Sequence, residues 1–95
     1  MSKLTPEEIE ISSRPPMTLG EKRCHLLFNP SGDDKIGTFK RMMADAIDFC
    51  EQERIESLLS GEEYLEQVRC LKIAMEHLET AQMFAVKGIA KGLNK

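Results

Sequence analysis

The sequence predicts an all-α protein built on a long antiparallel helical hairpin. Two long segments carry apolar residues at alternating spacings of three and four, which is the pattern of an amphipathic helix. Ser60 and Gly61 lie between these segments and indicate the turn that reverses the chain. The 95 residues are enough for one domain. We expect each helix to hold roughly 25–30 residues and to be about 40 Å long.

Residues 1–27 are expected to form an N-terminal arm that contains a short helix. Thr5 and Pro6, followed by two glutamates, have the pattern of a helix start: an N-cap, a first-turn proline and acidic residues in the first turn. This pattern predicts a short helix that ends at Ile11. Pro15 and Pro16 then interrupt any regular element, because proline has no backbone N–H. We expect the arm to be mobile or to lie on a partner.

Residues 28–95 are expected to form the hairpin, which would bind ligand and carry the oligomer interface. Ser31 and Asp34 have the spacing of a capping box, which predicts that the first long helix begins near Gly32 or Asp33. The predicted core face of this helix comprises Ile36, Phe39, Met43, Ala46, Ile47 and Cys50.

The second long helix, from about residue 62 to residue 93, is apolar over most of its circumference. Small residues share one face, among them Ala74, Ala81, Ala85 and Gly88, and would let another backbone approach closely. A two-helix hairpin cannot cover such a helix by itself, and a core of this size is marginal. We therefore expect a homo-oligomer that forms through this helix. The alternative is that the N-terminal arm folds back and covers it.

Composition and motifs argue against several classes of function. The formal net charge is -3, whereas proteins that coat DNA or RNA usually carry an excess of basic residues. No apolar run approaches the roughly 18 residues of a membrane span. Phosphate-binding glycine loops, dinucleotide fingerprints and nucleophile elbows are absent from the sequence. We expect a protein without catalytic residues or cofactor that binds no membrane, DNA or RNA.

The cysteines and histidines indicate neither disulfides nor a metal site. Cys24, Cys50 and Cys70 are odd in number and widely spaced, which is typical of reduced thiols in a cytoplasmic protein. His25 directly follows Cys24, and adjacent side chains diverge. His77 lies two helical turns beyond Cys70, too far to share a metal with it alone. We expect no metal ligand, and we expect two of the cysteines to fill the core.

The segment from Phe28 to Gly32 is the strongest candidate for a binding site. A helix N-terminus offers N–H groups and a partial positive charge to an anion, and Gly32 permits close approach of the backbone. Phe28 would stack on a base while the turn, with Asn29 and Ser31, holds a phosphate. The alternative, which spacing alone favours, is that Phe28 packs over the helix start and the polar residues only cap it.

Cations on both long helices would complete a nucleotide site. Lys40 and Arg41 lie two turns along the first long helix, and Arg69 and Lys72 lie early in the second. An aromatic ring, an anion-binding turn and scattered cations together suggest a nucleotide or a similar phosphate ligand. Because the whole chain is acidic, such a pocket must be positive locally.

The stretch from Leu19 to Gly92, about three quarters of the chain, resembles the helical-hairpin domain of phage anti-CBASS sponges. These small proteins sequester cyclic oligonucleotides, and they share this hairpin with a Thoeris anti-defence sponge. The resemblance rests on short motifs: Phe28-Asn29-Pro30-Ser31-Gly32, Phe39-Lys40, Ala46-Ile47-Asp48-Phe49-Cys50, Arg69 with Ile73-Ala74, and Met83-Phe84-Ala85-Val86-Lys87.

The resemblance implies a protein that binds cyclic dinucleotides and cyclic trinucleotides without cleaving them. Such proteins form compact oligomers, including hexamers, with separate pockets for the two ligands between protomers. The dinucleotide pocket uses an aromatic residue before the first long helix and a lysine within it, which correspond to Phe28 and Lys40. The trinucleotide pocket uses an arginine early in the last helix, which corresponds to Arg69, with Lys72 nearby. Asn29, Ser31 and Gly32 complete the predicted dinucleotide site.

The chain departs from the family pattern at two aromatic positions. Phe28 stands where tyrosine is frequent, so stacking would persist while one polar contact is lost, and Phe84 stands where tryptophan is frequent. The resemblance predicts a phage protein that blocks antiphage signalling in the host cytoplasm. A cyclic ADP-ribose isomer stays open as a ligand. Two other functions stay open: an oligomeric adaptor that binds a protein through the N-terminal arm, and an RNA-binding bundle, which the acidity disfavours.

Overall fold

Three helices and one short turn of 3-10 helix make up the described part of the chain. The computed structural model describes residues 16–29 and 32–93, and within these ranges it contains no strand. The helices are α1 (Leu19–Arg23), α2 (Asp34–Ser60) and α3 (Leu65–Leu93), with the 3-10 turn (Glu62–Tyr64) between α2 and α3. The predicted helix ending at Ile11 lies outside the described residues. In the part that is described, no helix is long and apolar enough to span a membrane.

The long helices α2 and α3 pack against each other and form the predicted hairpin. They contain 27 and 29 residues, which agrees with the length expected from periodicity. Gly61 joins them with a φ of 123°, a backbone conformation that residues other than glycine rarely adopt. The all-α hairpin and its turn are therefore confirmed.

The start of α2 differs from the predicted capping box. Asp33, and not Ser31, is the N-cap: its carboxylate accepts hydrogen bonds from the backbone N–H groups of Lys35 (2.8 Å) and Ile36 (3.3 Å). An aspartate cap satisfies these N–H groups and adds a negative charge at the positive end of the helix dipole. The helix accordingly begins at Asp34, one residue later than the prediction allowed.

The core face of α2 is rotated from the predicted one. The buried positions are Ile36, Lys40, Ala44 and Ile47, whereas Phe39, Met43, Ala46 and Cys50 are only half-buried. The prediction is confirmed for Ile36 and Ile47, and Met43 and Cys50 pack against the core, but it left out Lys40 because it counted lysine as a surface residue. Lys40 is 4% exposed, so its four-carbon stem lies inside the same face as the isoleucines.

Both long helices and the C-cap residue of α1 contribute to the centre of the core. Cys24, Ala44, Ile47 and Met75 form one buried cluster, with Cys50 packed against it. Burial raises the pKa of the Cys24 thiol, because the ionised form loses its hydration. The prediction that two cysteines fill the core is thus met fully by Cys24 and partly by Cys50.

Helix α1 lies directly on α2, so the expected mobile or partner-bound arm is wrong for residues 19–23. Gly20 is buried at the crossing, and a Cβ there would overlap the carbonyl oxygen of Ala44. The Gly20 N–H donates to Asp48 Oδ1 at 2.7 Å. Five residues are too few to show helical periodicity, and both contacts join residues far apart in sequence. The sequence pattern alone therefore could not predict this docking.

Polar contacts fix both ends of this crossing. Thr18 and Glu21 form a capping box at the start of α1, and Arg41 Nη1 of α2 lies 2.8 Å from Glu21 Oε2. Arg41 also pairs with Asp45 at 2.7 Å. The backbone N–H of Thr18 and the Arg41 guanidinium lower the pKa of the Glu21 carboxyl. These contacts connect the chain before the hairpin to one face of α2.

Helix α3 keeps an uncovered apolar face within the described chain. Met83 and Phe84 are 61% and 68% exposed, and Ala81 is exposed beside them. Residues 16–27, the described part of the arm, leave these side chains exposed and so do not provide the cover that the alternative required. Adjacent exposed apolar side chains of this size are typical of an interaction surface.

Candidate functional site

Phe28 lies in the connection between α1 and α2 with its side chain exposed to solvent. The residue is 67% exposed, whereas a ring that packs over the helix start would be largely buried. The Phe28 N–H donates to the carbonyl of His25 at 2.8 Å, so the backbone from His25 to Phe28 forms a turn. The arrangement leaves an aromatic face free to stack on a ligand base.

The path of the chain before Phe28 is set by the end of α1. Leu26 N–H donates to the carbonyl of Glu21 (3.1 Å) and His25 N–H to that of Lys22 (3.3 Å). This pair of bonds is the Schellman motif, in which the residue after the C-cap adopts a left-handed conformation. His25 occupies that position with a φ of 48°. The motif turns the His25 carbonyl and Phe28 toward α2.

The buried side chain of Lys40 binds the backbone of this turn. Its Nζ donates to the carbonyl of His25 at 3.1 Å and to the carbonyl of Phe28, and it lies 5.6 Å from the centre of the Phe28 ring. Burial lowers the pKa of Lys40, since the ammonium has lost water on most sides. Lys40 and Phe28 are therefore together, as the resemblance implies, with two of the three ammonium donors used on backbone carbonyls.

The predicted anion-binding turn is partly occupied by the protein itself. The Asp33 carboxylate takes the N–H groups of Lys35 and Ile36, which are thus not available to a phosphate. The Asn29 side chain donates to the Asp33 carbonyl at 3.0 Å, and Gly32 N–H donates to the Asn29 carbonyl at 3.0 Å. These bonds connect the residues on either side of the predicted turn. Ser31 lies outside the described residues.

Two open hollows flank the turn. One, of about 680 Å³, is lined by Asn29, Gly37, Thr38, Arg41 and neighbouring residues, including Asp33 and Asp34. The other, of about 310 Å³, is lined by Met17, Glu21, Lys22, His25, Leu27 and Phe28, and we name it the Phe28 hollow. The first carries two carboxylates and the Arg41 guanidinium, whereas the second combines an exposed ring with Lys22 and a single carboxylate, that of Glu21. The Phe28 hollow is therefore the better match to a stacked nucleotide.

Sequence reasoning missed Lys22 and His25, both of which line this hollow. They precede the segment from Phe28 to Gly32, and no motif marks them. The only available signal was proximity to Phe28 in the sequence, which means little until the Schellman turn is known.

Arg69 and Lys72 lie early in α3, beside the closed end of the hairpin, and are exposed. Phe28 and Lys40 lie toward the other end, so the structure does not bring the two predicted sites together within one chain. Arg69 is held by Glu66: Nε lies 3.0 Å from Oε2 and Nη2 lies 2.5 Å from Oε1. This pairing lowers the pKa of Glu66. A ligand phosphate would compete with Glu66 for the same guanidinium face.

Among the described residues, no group of three or more histidine, cysteine or acidic side chains is placed to bind a metal ion. What this part of the chain offers instead is an exposed ring on a rigid turn at one end of the hairpin and exposed cations near the other. Such features suit the binding of a planar, anionic ligand.

A family model described as Acb2/Tad1, hairpin domain, matches residues 27–90. The match spans 64 of the 95 residues and includes α2 and most of α3 together with Phe28, Lys40 and Arg69. The resemblance observed in the sequence is thereby confirmed. No curated protein and no solved structure shows significant similarity to the chain.

Proposed function

The chain belongs to the Acb2/Tad1 hairpin family, and from this premise we propose that it is a sponge for cyclic oligonucleotides. It binds cyclic dinucleotides and cyclic trinucleotides without cleaving them. It is made by a phage and acts in the cytoplasm of the infected bacterium. By lowering the free concentration of these second messengers, it keeps antiphage effectors inactive.

The observation that carries the proposal is the exposed Phe28 ring on a turn fixed by buried Lys40. A ring held in place before the ligand arrives loses little conformational entropy on binding. Stacking on such a ring contributes roughly 1–3 kcal/mol per base. Sequestration requires nanomolar affinity, which is about -12 kcal/mol. The remainder comes from phosphate contacts and from the neighbouring protomer.

In the proposed dinucleotide site, Phe28 stacks on a base and Lys40 holds the turn while its remaining donor faces the ligand. Asn29, Ser31 and Gly32 complete the proposed set of residues that contact the dinucleotide. Arg69 and Lys72 bind the phosphates of the trinucleotide at the other site. The distance between the two sets of residues along the hairpin supports separate pockets for the two ligands.

Arg69→Ala is expected to weaken trinucleotide binding about tenfold to 100-fold and to leave dinucleotide binding unchanged. A charged hydrogen-bond donor contributes about 1.5–3 kcal/mol, and Arg69 lies far from the Phe28 turn. Isothermal calorimetry with one ligand of each class measures both effects. Arg54→Ala is a matched control, because Arg54 pairs with Glu51 across the same three-residue spacing at 2.5 Å. Equal losses for both ligands would contradict separate pockets.

We also propose that the chain forms a homo-oligomer, a hexamer by analogy with its family, through the uncovered face of α3. Ala81→Glu is expected to dissociate the assembly, because a charge would enter a close helix contact without a partner. Light scattering coupled to size-exclusion chromatography measures the mass. Gln67→Glu, which adds a similar carboxylate at an exposed position of α3, is the control. An unchanged mass for Ala81→Glu would count against this interface.

The proposed function is tested by thermal unfolding against a panel of cyclic dinucleotides, cyclic trinucleotides and cyclic ADP-ribose isomers. A ligand present at 100 times its dissociation constant adds about 2.7 kcal/mol of stability. At least one dinucleotide and one trinucleotide should raise the melting temperature, while linear dinucleotides should not. If no cyclic ligand shifts the transition, the sponge proposal is contradicted. The adaptor alternative rests on the N-terminal arm, of which residues 1–15 lie outside the described residues.

A further inference from the structure

We propose that His25 contacts the ligand of the Phe28 site, donating a hydrogen bond to a phosphodiester oxygen of a cyclic dinucleotide whose base stacks on Phe28. The inference rests on the proposed function and adds a ligand-binding residue to it. Lys22, from the last turn of α1, supplies positive charge to the same phosphodiester.

The first observation is the backbone conformation of His25. Its φ of 48° lies in the left-handed region, at the position of the Schellman motif that glycine usually occupies. A residue with a Cβ is strained there, and strained residues are concentrated at binding and active sites. Glycine would close α1 equally well, so helix termination alone does not account for the imidazole.

The second observation is the composition of the Phe28 hollow. His25, Phe28 and Lys22 line it, and all three are exposed. Glu21 also lines the hollow, but its carboxylate accepts from Thr18 N–H at 2.9 Å and pairs with Arg41. Arg41, which it shares with Asp45, offsets part of the negative charge of Glu21, and Lys22 adds a positive charge to the hollow.

The third observation concerns Lys40, the cation that the family pattern assigns to this pocket. Lys40 is 4% exposed, and its ammonium is bonded to the carbonyls of His25 and Phe28. A buried ammonium that donates most of its hydrogen bonds to backbone carbonyls cannot by itself neutralise a phosphodiester in the open hollow. The residues that line the hollow must provide further donors, and His25 and Lys22 are its nitrogen-bearing side chains.

The same contacts hold His25 in place. Its carbonyl accepts from Lys40 Nζ and from the Phe28 N–H, while its own N–H donates to Lys22. The backbone that carries the imidazole is therefore fixed relative to the Phe28 ring, three residues away. A ligand that stacks on the ring would therefore find the backbone that carries the donor already ordered.

His25→Gly separates a ligand contact from a structural role, because the two predict different changes. Glycine relieves the left-handed backbone, so the melting temperature should rise by about 4 °C. Affinity for the tightest-binding cyclic dinucleotide of the panel should fall at least fivefold by calorimetry, while trinucleotide affinity stays unchanged. His77→Ala, which removes the other exposed histidine, should change neither affinity.

A change of less than fivefold in dinucleotide affinity for His25→Gly would overturn the inference and leave the sponge proposal standing. Asparagine also tolerates the left-handed region, so His25→Asn repeats the test if the glycine variant does not fold, with the same fivefold criterion. If the wild-type protein binds no cyclic dinucleotide, the proposed function and this inference both fail.

Discussion

Phe28→Ala is expected to weaken cyclic-dinucleotide binding about 100-fold while the fold and the assembly stay intact. The ring is 67% exposed, so its removal leaves little cavity in the protein. The Phe28 carbonyl belongs to the backbone and would keep its bond to Lys40 in the variant. The loss should therefore be confined to stacking, which contributes roughly 1–3 kcal/mol per base.

The control for this variant is Phe49→Ala. Phe49 is 69% exposed on α2, so it loses a ring of the same size and exposure away from the turn. Calorimetry on both variants compares the effect of losing a ring at the candidate site with the effect of losing a ring elsewhere on the surface. Unchanged affinity for Phe28→Ala, or an equal loss for Phe49→Ala, would show that the ring at position 28 does not bind the ligand.

Gly20→Ala is expected to cause the largest loss of stability, about 3 kcal/mol in the free energy of unfolding. A Cβ at this position would overlap the Ala44 carbonyl oxygen and lie 2.7 Å from the carbonyl carbon and 2.9 Å from the Cα of Ala44. All three atoms are backbone, so no flexible side chain can move aside. Helix α1 must shift off α2, which also lengthens the Gly20–Asp48 hydrogen bond.

Gly37→Ala is a control that should change stability in the opposite direction. Its Cβ would lie 3.7 Å from Asn29 Nδ2, an ordinary contact, and alanine favours the helix by about 0.5–1 kcal/mol. Urea denaturation measures both variants. If Gly20→Ala is as stable as the wild type, α1 does not pack on α2 as described. Because the docking of α1 places His25 against Lys40, a shift of α1 should also make the Gly20→Ala variant bind the dinucleotide more weakly.

The hairpin was predictable because long helices repeat their apolar pattern many times. The turn between α2 and α3 was equally predictable, because the φ that the chain adopts there is one that Gly61 can adopt and other residues rarely do. Helix α1 was not readable, because it has five residues and its docking depends on Gly20 meeting Ala44 and Asp48 of α2. Contacts between residues so far apart in sequence leave no periodic signal.

The candidate site was predictable only in part. Phe28 and Lys40 were indicated by the family resemblance, yet nothing in the pattern showed that Lys40 is buried beneath the turn. Its position in the core face of α2 also explains why the predicted face was rotated. The sequence did not identify Asp33 as the N-cap, because Ser31 and Asp34 also have the spacing of a capping box. Local spacing cannot decide between two neighbouring caps.

The measurement that tests sequestration most directly is calorimetric titration of the full chain with a cyclic dinucleotide, followed by recovery of the ligand. The dissociation constant should lie in the nanomolar range, and chromatography of the heat-released nucleotide should show it chemically unchanged. Absence of binding across the cyclic panel would contradict the account, and so would recovery of a linear or hydrolysed product.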